Sequence, residues 1–294
     1  MQQVTGLLSL TTDTSLHAGT GSSGDVIDLP IQREGHNGWP CVFGSAVKGA
    51  LRARAEQLMP DTTADLQAAF GPDTGHASDH AGALSVGDAR LLLMPVRSLT
   101  GTFRWVTCPA ALQRLRDDCQ RLNLQQDEWD IPSLNDEATA LLPTDGVEAL
   151  YLEEYRFQTQ TLALDTLIDA LARLLGRDQG KDLLSQRLAI VHDDMFSHLV
   201  RTATPVNARV ALDEKKTVRR GALWYEETLP PETLLYAPLM ALPSRRQDHP
   251  MDASAVFQVI TDKIFGKHPW LQLGGNETVG MGWCSVKILK GANA

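Results

Sequence analysis

An α+β fold is predicted by three features of this sequence. Strand-like and helix-like runs follow one another without the regular alternation of a doubly wound sheet. Two alternating arms, 206–212 and 217–226, flank the charged tip Asp213-Glu-Lys-Lys216 and read as a long hairpin. The last part of the chain reads as strand, glycine-rich loop and strand. With 294 residues, 43% hydrophobic and 21% charged, the chain can bury a sizeable core. No Pro/Ser linker or low-complexity tract divides it, so one unit spanning 1–294 is expected.

The elements follow in order. Val4 to Leu10 is a strand, succeeded by a polar loop with glycines at 19, 21 and 24. A helix runs from about Ala46 to Met59, with Ser45 as its N-cap and Pro60 as its stop. Its apolar side is Val47, Leu51, Ala55 and Leu58. Phe70 to Gly82 is a loop; Ala83 to Val96 and Phe103 to Val106 are strands. Residues 110–122 have a helical period, and 123–145 form an acidic, irregular insertion. Leu150 to Phe157 is a strand, Thr161 to Leu175 a helix ending before Gly176, and Asp193 to Val200 a short helix. After the hairpin, Leu234 to Leu242 is a strand and Ala253 to Phe265 a helix.

Composition removes several function classes. No apolar run approaches a membrane span, and Met1-Gln-Gln-Val-Thr5 lacks the basic start of a secretory signal, so a cytoplasmic protein without membrane contact is expected. Cys41, Cys108, Cys119 and Cys284 are isolated and are expected to be free thiols. The formal charge of -9 argues against nonspecific nucleic-acid binding but leaves room for a local basic groove. His76 and His80, beside Asp73 and Asp79, lie in a Gly/Asp/Ser stretch and read as a solvated loop. Gly19, Gly21 and Gly24 satisfy G-x-G-x-x-G, yet no helix follows to receive a pyrophosphate. These glycines instead let backbone approach a ligand closely, with Asp28 presented nearby.

Four groups of residues carry chemistry. Lys48 and Arg52 share a helix face, and a phosphate at that helix start would offset the unfavourable dipole felt by Lys48. The segment Leu273-Gly-Gly-Asn-Glu-Thr-Val-Gly-Met-Gly-Trp283 can hold amides close to a phosphate backbone, or can simply turn a hairpin. The 206–226 hairpin has a basic flank of Arg201, Arg209, Lys215, Lys216, Arg219 and Arg220, whereas Trp224 and Tyr225 are expected in a core. Finally, Asp25 and Asp28 are candidate acids. An ordinary aspartate is a poor base at neutral pH but a good divalent-cation ligand, suited to RNA cleavage by the 2′-OH.

These pieces occur together in one family. His17-Ala-Gly-Thr-Gly21, Ile27-Asp-Leu-Pro-Ile-Gln-Arg-Glu34, Gly38-Trp-Pro40 and Gly44-Ser-Ala-Val-Lys-Gly-Ala-Leu-Arg52 resemble the backbone subunits of the Cmr complex. That complex is the type III-B CRISPR RNA-guided effector, and its backbone subunit belongs to the RAMP superfamily. Val86 to Ser98, Gly101 to Thr107, Gly221 to Pro230 and Gly274 to Gly282 look like the same family, so the resemblance covers nearly the full length.

The resemblance implies an RRM-like, ferredoxin-type palm with inserted helical segments, an insertion at about 108–147 and a projecting β-hairpin thumb at about 201–227. It implies a filament of copies along crRNA, beside other Cmr-complex subunits, that cuts complementary target RNA at regular intervals. The family's catalytic aspartate matches Asp28 rather than Asp25, and Asp28 is also the expected ligand of a divalent cation, Mg2+ or Mn2+. RNA-binding positions are expected at His17, Gly19, Gly21, Ser45, Lys48, Arg52, Arg201, Arg209, Gly274, Gly275, Gly280 and Gly282. No RNP-type aromatic motif lies on a strand, so recognition by shape and backbone is expected to dominate. A non-cleaving crRNA scaffold and the equivalent subunit of a type III-A complex are the alternatives.

Overall fold

The computed structural model describes residues 3–24, 26–76, 78–124 and 129–292. In chain order the elements begin with β1 (Val4–Thr12), β2 (Cys41–Val42), α1 (Gly44–Leu58), α2 (Thr63–Phe70), β3 (Leu84–Val86), β4 (Ala89–Arg97) and β5 (Phe103–Thr107). They continue with α3 (Pro109–Arg121), β6 (Thr139–Leu142), β7 (Ala149–Leu152), β8 (Tyr155–Thr161), α4 (Asp165–Leu175), α5 (Gly180–Arg187), β9 (Leu188–Val191) and α6 (Asp193–Thr202). The hairpin strands β10 (Val206–Leu212) and β11 (Val218–Glu227) come next. Last are β12 (Leu234–Ala241), α7 (Ala253–Gln258), β13 (Trp270–Gln272) and β14 (Trp283–Lys290).

The centre is a β-α-β-β-α-β unit split by a long insertion. β1, α1 and β4 form one half; β12, α7 and β14 form the other. They interleave in the spatial order β14-β1-β12-β4 with every neighbouring pair antiparallel, which is the ferredoxin-like arrangement of an RRM palm. β4 is shared between two neighbours. Arg90, Leu91 and Leu93 pair with β12, while Met94 to Arg97 pair with β5. Through β5 the sheet continues to β9, β6, β8 and β7.

Alternation along the strands gives the sheet a core on each face. One contains Leu8, Leu10, Val47, Leu51, Leu235, Val256 and Phe257, and so seats α1 and α7. The other contains Leu7, Leu92, Leu93, Leu112, Leu115, Leu167, Leu171 and Tyr236, and seats α3 and α4. Polar groups in the second core are paired. Tyr236 donates to Asp118 Oδ2 at 3.0 Å, which also takes Arg90 at 2.7 Å.

The thumb is a separate two-stranded sheet, as its alternation predicts. Val210 faces Leu223, and Leu212 faces Val218 across a bulge. Val206, Val210, Leu212, Val218, Leu223 and Tyr225 are all exposed. Tyr225, at 44% exposure, is therefore not the core residue expected from its type, and Trp224 is only half-buried.

Several local expectations change. Helix α1 starts at Gly44, after Phe43, and has no side-chain cap from its own flank. Asp88 supplies the cap from across the sheet, accepting from the Gly44 amide at 2.7 Å. Ser45 is thus exposed in the first turn, not the N-cap. Leu58 is exposed rather than on the buried side, and 63–70 is helical. The single strand expected over 150–157 is a tight hairpin, turned at Glu153 with φ 50°. β6 crosses the segment expected to be irregular, and the helix expected to reach Phe265 becomes π-helical over Val259–Ile264. All four cysteines are buried free thiols, and no described helix is long and apolar enough to cross a membrane.

Candidate nucleic-acid interface

The loop after β1 is fastened to the base of the thumb. Asp28 Oδ2 accepts from the Tyr225 amide at 2.7 Å, and the Leu29 amide donates to the Tyr225 carbonyl at 3.0 Å. The Glu227 amide donates to the Leu29 carbonyl at 3.0 Å, so residues 28–29 act as a short added strand on the outer edge of β11. Among the described residues, the Asp28 side chain accepts this one hydrogen bond from Tyr225, through Oδ2. Asp25 lies outside the described residues.

Two adjacent acids at the end of β11 lock this junction from opposite faces. Glu227, only 2% exposed, accepts from the Ile31 amide at 3.1 Å and the Thr204 hydroxyl at 2.7 Å, and pairs with Arg33. Arg33 also donates to the carbonyls of Gly38 and Val200. Glu226, equally buried, accepts from Asn276 at 2.8 Å and from Arg209 at 3.4 Å. One carboxylate therefore holds the Asp28 loop, and its neighbour holds the glycine loop before β14. Composition marks this arm as basic. The signal it passes over is the Glu226-Glu227 pair closing the arm, because consecutive strand residues face opposite ways.

His17 is where the two loops meet. Its Nδ1 donates to the Glu227 carbonyl at 2.8 Å, and its own carbonyl accepts from the Gly275 amide at 2.9 Å. Gly19 packs against the imidazole: a Cβ there would lie 2.6 Å from Nε2. Gly274 has φ +74° and lies so close to the His17 carbonyl that a Cβ would come within 2.3 Å of it. Gly282, at φ +82°, would place a Cβ 1.9 Å from the Leu273 carbonyl. Only glycine fits either position. Gly21 and Gly280 also have positive φ, but they open onto free space.

The structure thus gathers Asp28, His17, Gly19, Gly274, Gly275, Gly282 and Arg209 around the thumb base. The α1 residues join at one remove. Gln32 accepts from the Phe43 amide at 2.7 Å and donates to the Gly19 carbonyl at 3.1 Å, bridging the helix start to the loop. Lys48 and Arg52 turn away from that bridge. Lys48 Nζ donates to the Leu84 carbonyl at 2.9 Å, and burial together with Arg52 holds its ammonium below the usual lysine range. Arg52 donates to the Pro72 carbonyl at 2.8 Å and pairs with Glu56. Arg201 is exposed at the end of α6, its Nε on the Ser197 carbonyl, and its stem lies beside Gly38.

Asp28 suits a cation held chiefly by its substrate. A magnesium-like ion commonly takes one or two protein carboxylates and completes its shell with water and phosphate oxygens. Asp28 could offer one such carboxylate, anchored through Oδ2 to the Tyr225 amide. The group Glu137, His192 and Asp194 has ligand atoms within 4.8 Å of one another, but it lies at the other end of α6 from the thumb junction.

The palm, thumb and loop junction define a RAMP-type architecture, and the RAMP superfamily profile matches residues 9–285. The CRISPR system Cmr endoribonuclease Cmr4 of Pyrococcus furiosus is 36% identical over 291 residues, covering 98% of this chain and 96% of the relative. The CRISPR system CMR subunit Cmr4 of Saccharolobus solfataricus is 26% identical over 94% of both chains. The crystal structure of oligomeric Cmr4 from Pyrococcus furiosus superposes with a TM-score of 0.76 at 30% identity, over 98% of each chain. A chain of the type III-B Cmr-beta complex bound to cognate target RNA shares the fold, with a TM-score of 0.74 at 21% identity over 97% of this chain and 96% of that one. The chain belongs to the RAMP superfamily and, within it, to the Cmr4 family.

Proposed function

We propose that this protein is the backbone subunit of a cytoplasmic type III-B Cmr effector. It assembles with further copies of itself and other Cmr subunits along crRNA, and it cuts complementary target RNA endonucleolytically at regular intervals. Asp28 carries the cleavage, with a magnesium or manganese ion. The observation behind this reading is the clamp of Asp28 Oδ2 on the Tyr225 amide, which fixes one carboxylate at the root of the projecting hairpin. RNA distorted around the thumb would present its phosphate to that carboxylate.

In the reaction, the target's 2′-OH attacks the adjacent phosphorus and the 5′-oxygen leaves, taking a proton from water, to give a 2′,3′-cyclic phosphate and a 5′-OH. The bound cation would stabilise the charge gathering on the phosphate oxygens. Asp28 Oδ1 would hold that ion or take the hydroxyl proton, while the Tyr225 amide keeps the carboxylate from rotating away. The N–H-rich glycine loop, His17, Ser45, Lys48, Arg52, Arg201 and Arg209 track RNA backbone, leaving sequence to base pairing.

The test is cleavage of end-labelled complementary RNA by the reconstituted guide-loaded complex, with metal and with chelator. Wild type should give a regular ladder that needs metal. Asp28→Ala should lose about 10²–10⁴-fold in cleavage rate while binding target within a few-fold. Joint loss of binding and cleavage would remove Asp28 from a catalytic role. Tight binding without cutting by wild type would leave a crRNA scaffold.

A further inference from the structure

RRM palms commonly bind single-stranded RNA by stacking bases on aromatics of the sheet face opposite the two helices. Here that face is covered over its central strands. Leu7 on β1, Leu92 and Leu93 on β4, and Leu234 and Tyr236 on β12 are buried beneath α3 and α4. The cover reaches β14 at Lys287 and Leu289, which lie against Gly176 and the second core, but it leaves Trp270 and Trp283 exposed. Leu271 and Cys284 pair across these strands and face the α1 core. Alternation therefore sends Trp270 and Trp283 to the opposite face, where they are 45% and 41% exposed. The register places Trp270 opposite Ser285 and Trp283 opposite Gln272, so the two indoles are diagonal neighbours.

This aromatic pair is continuous with the proposed RNA loops. Trp283 directly follows Gly282, whose amide donates to the Ser15 carbonyl at 2.8 Å. The Trp283 amide donates to Thr14 Oγ1 at 3.0 Å, and its carbonyl accepts from the Asp13 amide at 2.8 Å. The residue is thus pinned between the segment leading to His17 and the glycine loop. Lys267 precedes Trp270 by three residues, and Lys287 lies along the same face of β14. Both are exposed and, among the described residues, have no ion-pair partner. The acid on this face, Asp13, is engaged by the Ser285 hydroxyl at 2.8 Å. Exposed indoles beside unpaired cations, on a chain of net charge -9, suit a nucleobase with its phosphate.

We propose that Trp270 and Trp283 form a stacking platform for an unpaired base of the RNA strand that passes the glycine loop. This rests on the RNA-binding reading above and adds a base contact to a protein otherwise expected to hold backbone. The platform tolerates any base, since every base offers a π face.

Fluorescein-labelled oligouridine and an abasic RNA of equal length separate stacking from phosphate binding. Titrated with the full chain, wild type should prefer oligouridine. Trp270→Ala and Trp283→Ala should each lose about 5- to 150-fold on oligouridine, with little change on abasic RNA. Trp270→Phe and Trp283→Phe should retain most of the affinity, which also guards against a folding defect. Alanine variants that bind oligouridine like wild type, or that weaken equally on both RNAs, overturn the platform. A changed oligomeric state with unchanged RNA affinity would assign the face to a second copy, also overturning it. If Lys48→Glu weakens binding where the tryptophan variants do not, the platform alone fails. Absence of RNA binding by wild type removes the wider reading with it.

Discussion

The palm sheet and the thumb hairpin are both antiparallel ribbons, yet they differ in what surrounds them. β1 is buried at all nine positions, between β12 and β14 and between two cores. β10 has no buried residue, and β11 becomes buried only at its last two positions, Glu226 and Glu227. The palm is therefore specified by packing. The thumb is specified by its own pairing and by polar fastenings at one end. Regions built in these two ways respond differently to substitution: the first loses stability, the second loses placement.

Glu227 is where the two regimes meet, and it gives the largest expected effect. Glu227→Ala leaves Arg33 without its carboxylate and should cost about 3–5 kcal/mol in urea unfolding, because a half-removed buried pair leaves an uncompensated charge. A change below about 1 kcal/mol would mean that the junction is not structurally coupled to the palm. Next comes a matched pair of leucines. Leu92→Ala in the palm should cost about 2–5 kcal/mol, whereas Leu223→Ala in the thumb should stay within about 0.5 kcal/mol. Equal losses would erase the contrast.

Lys48→Glu acts on binding more than on folding. The log–log salt slope of crRNA affinity should fall by about 0.7–0.9 for each phosphate that the lysine neutralises, and an unchanged slope would leave Lys48 as a partner of the Leu84 carbonyl only. The smallest stability effect belongs to the thumb tip. Asp213 is held below the usual carboxylate range chiefly by the Thr217 hydroxyl and amide, so the tip is an independently closed turn. Shortening 213–216 should leave the urea midpoint in place while the spacing or yield of target fragments changes. A lost fold would make the hairpin part of the core.

Legibility in the sequence follows the same division. Period-two and helical patterns locate α1, α4, α6, both hairpin arms and β14, since each repeats a contrast between inside and outside, while β1 and β12 are read from the length of their apolar runs. The pattern weakens where both faces are buried or the element is short. β9, four buried residues after a helix, has no alternation, and β6 hides in an acidic stretch. The α1 cap is not legible because its acceptor, Asp88, is distant in sequence, while Ser45 stands at the helix start with a suitable hydroxyl. The Asp28 motif is readable as a string of residues. That Glu226 and Glu227 hold the surrounding loops from opposite faces is not, since it depends on a strand meeting two loops far from it in sequence.

The position of β1 has a consequence for biosynthesis. Its hydrogen-bonding edges belong to β12 and β14, so Thr11 finds its partners only at Leu234 and Ser285. At about 5–20 residues per second, roughly 10 to 45 seconds of translation separate the first strand from β12, the earlier made of its two neighbours. During that interval Leu7, Leu8 and Leu10 lack both adjoining strands. A nascent chain of this design depends on holding β1 out of misfolded pairings until β12 and β14 have been made, which makes synthesis rate and chaperone supply determinants of its yield.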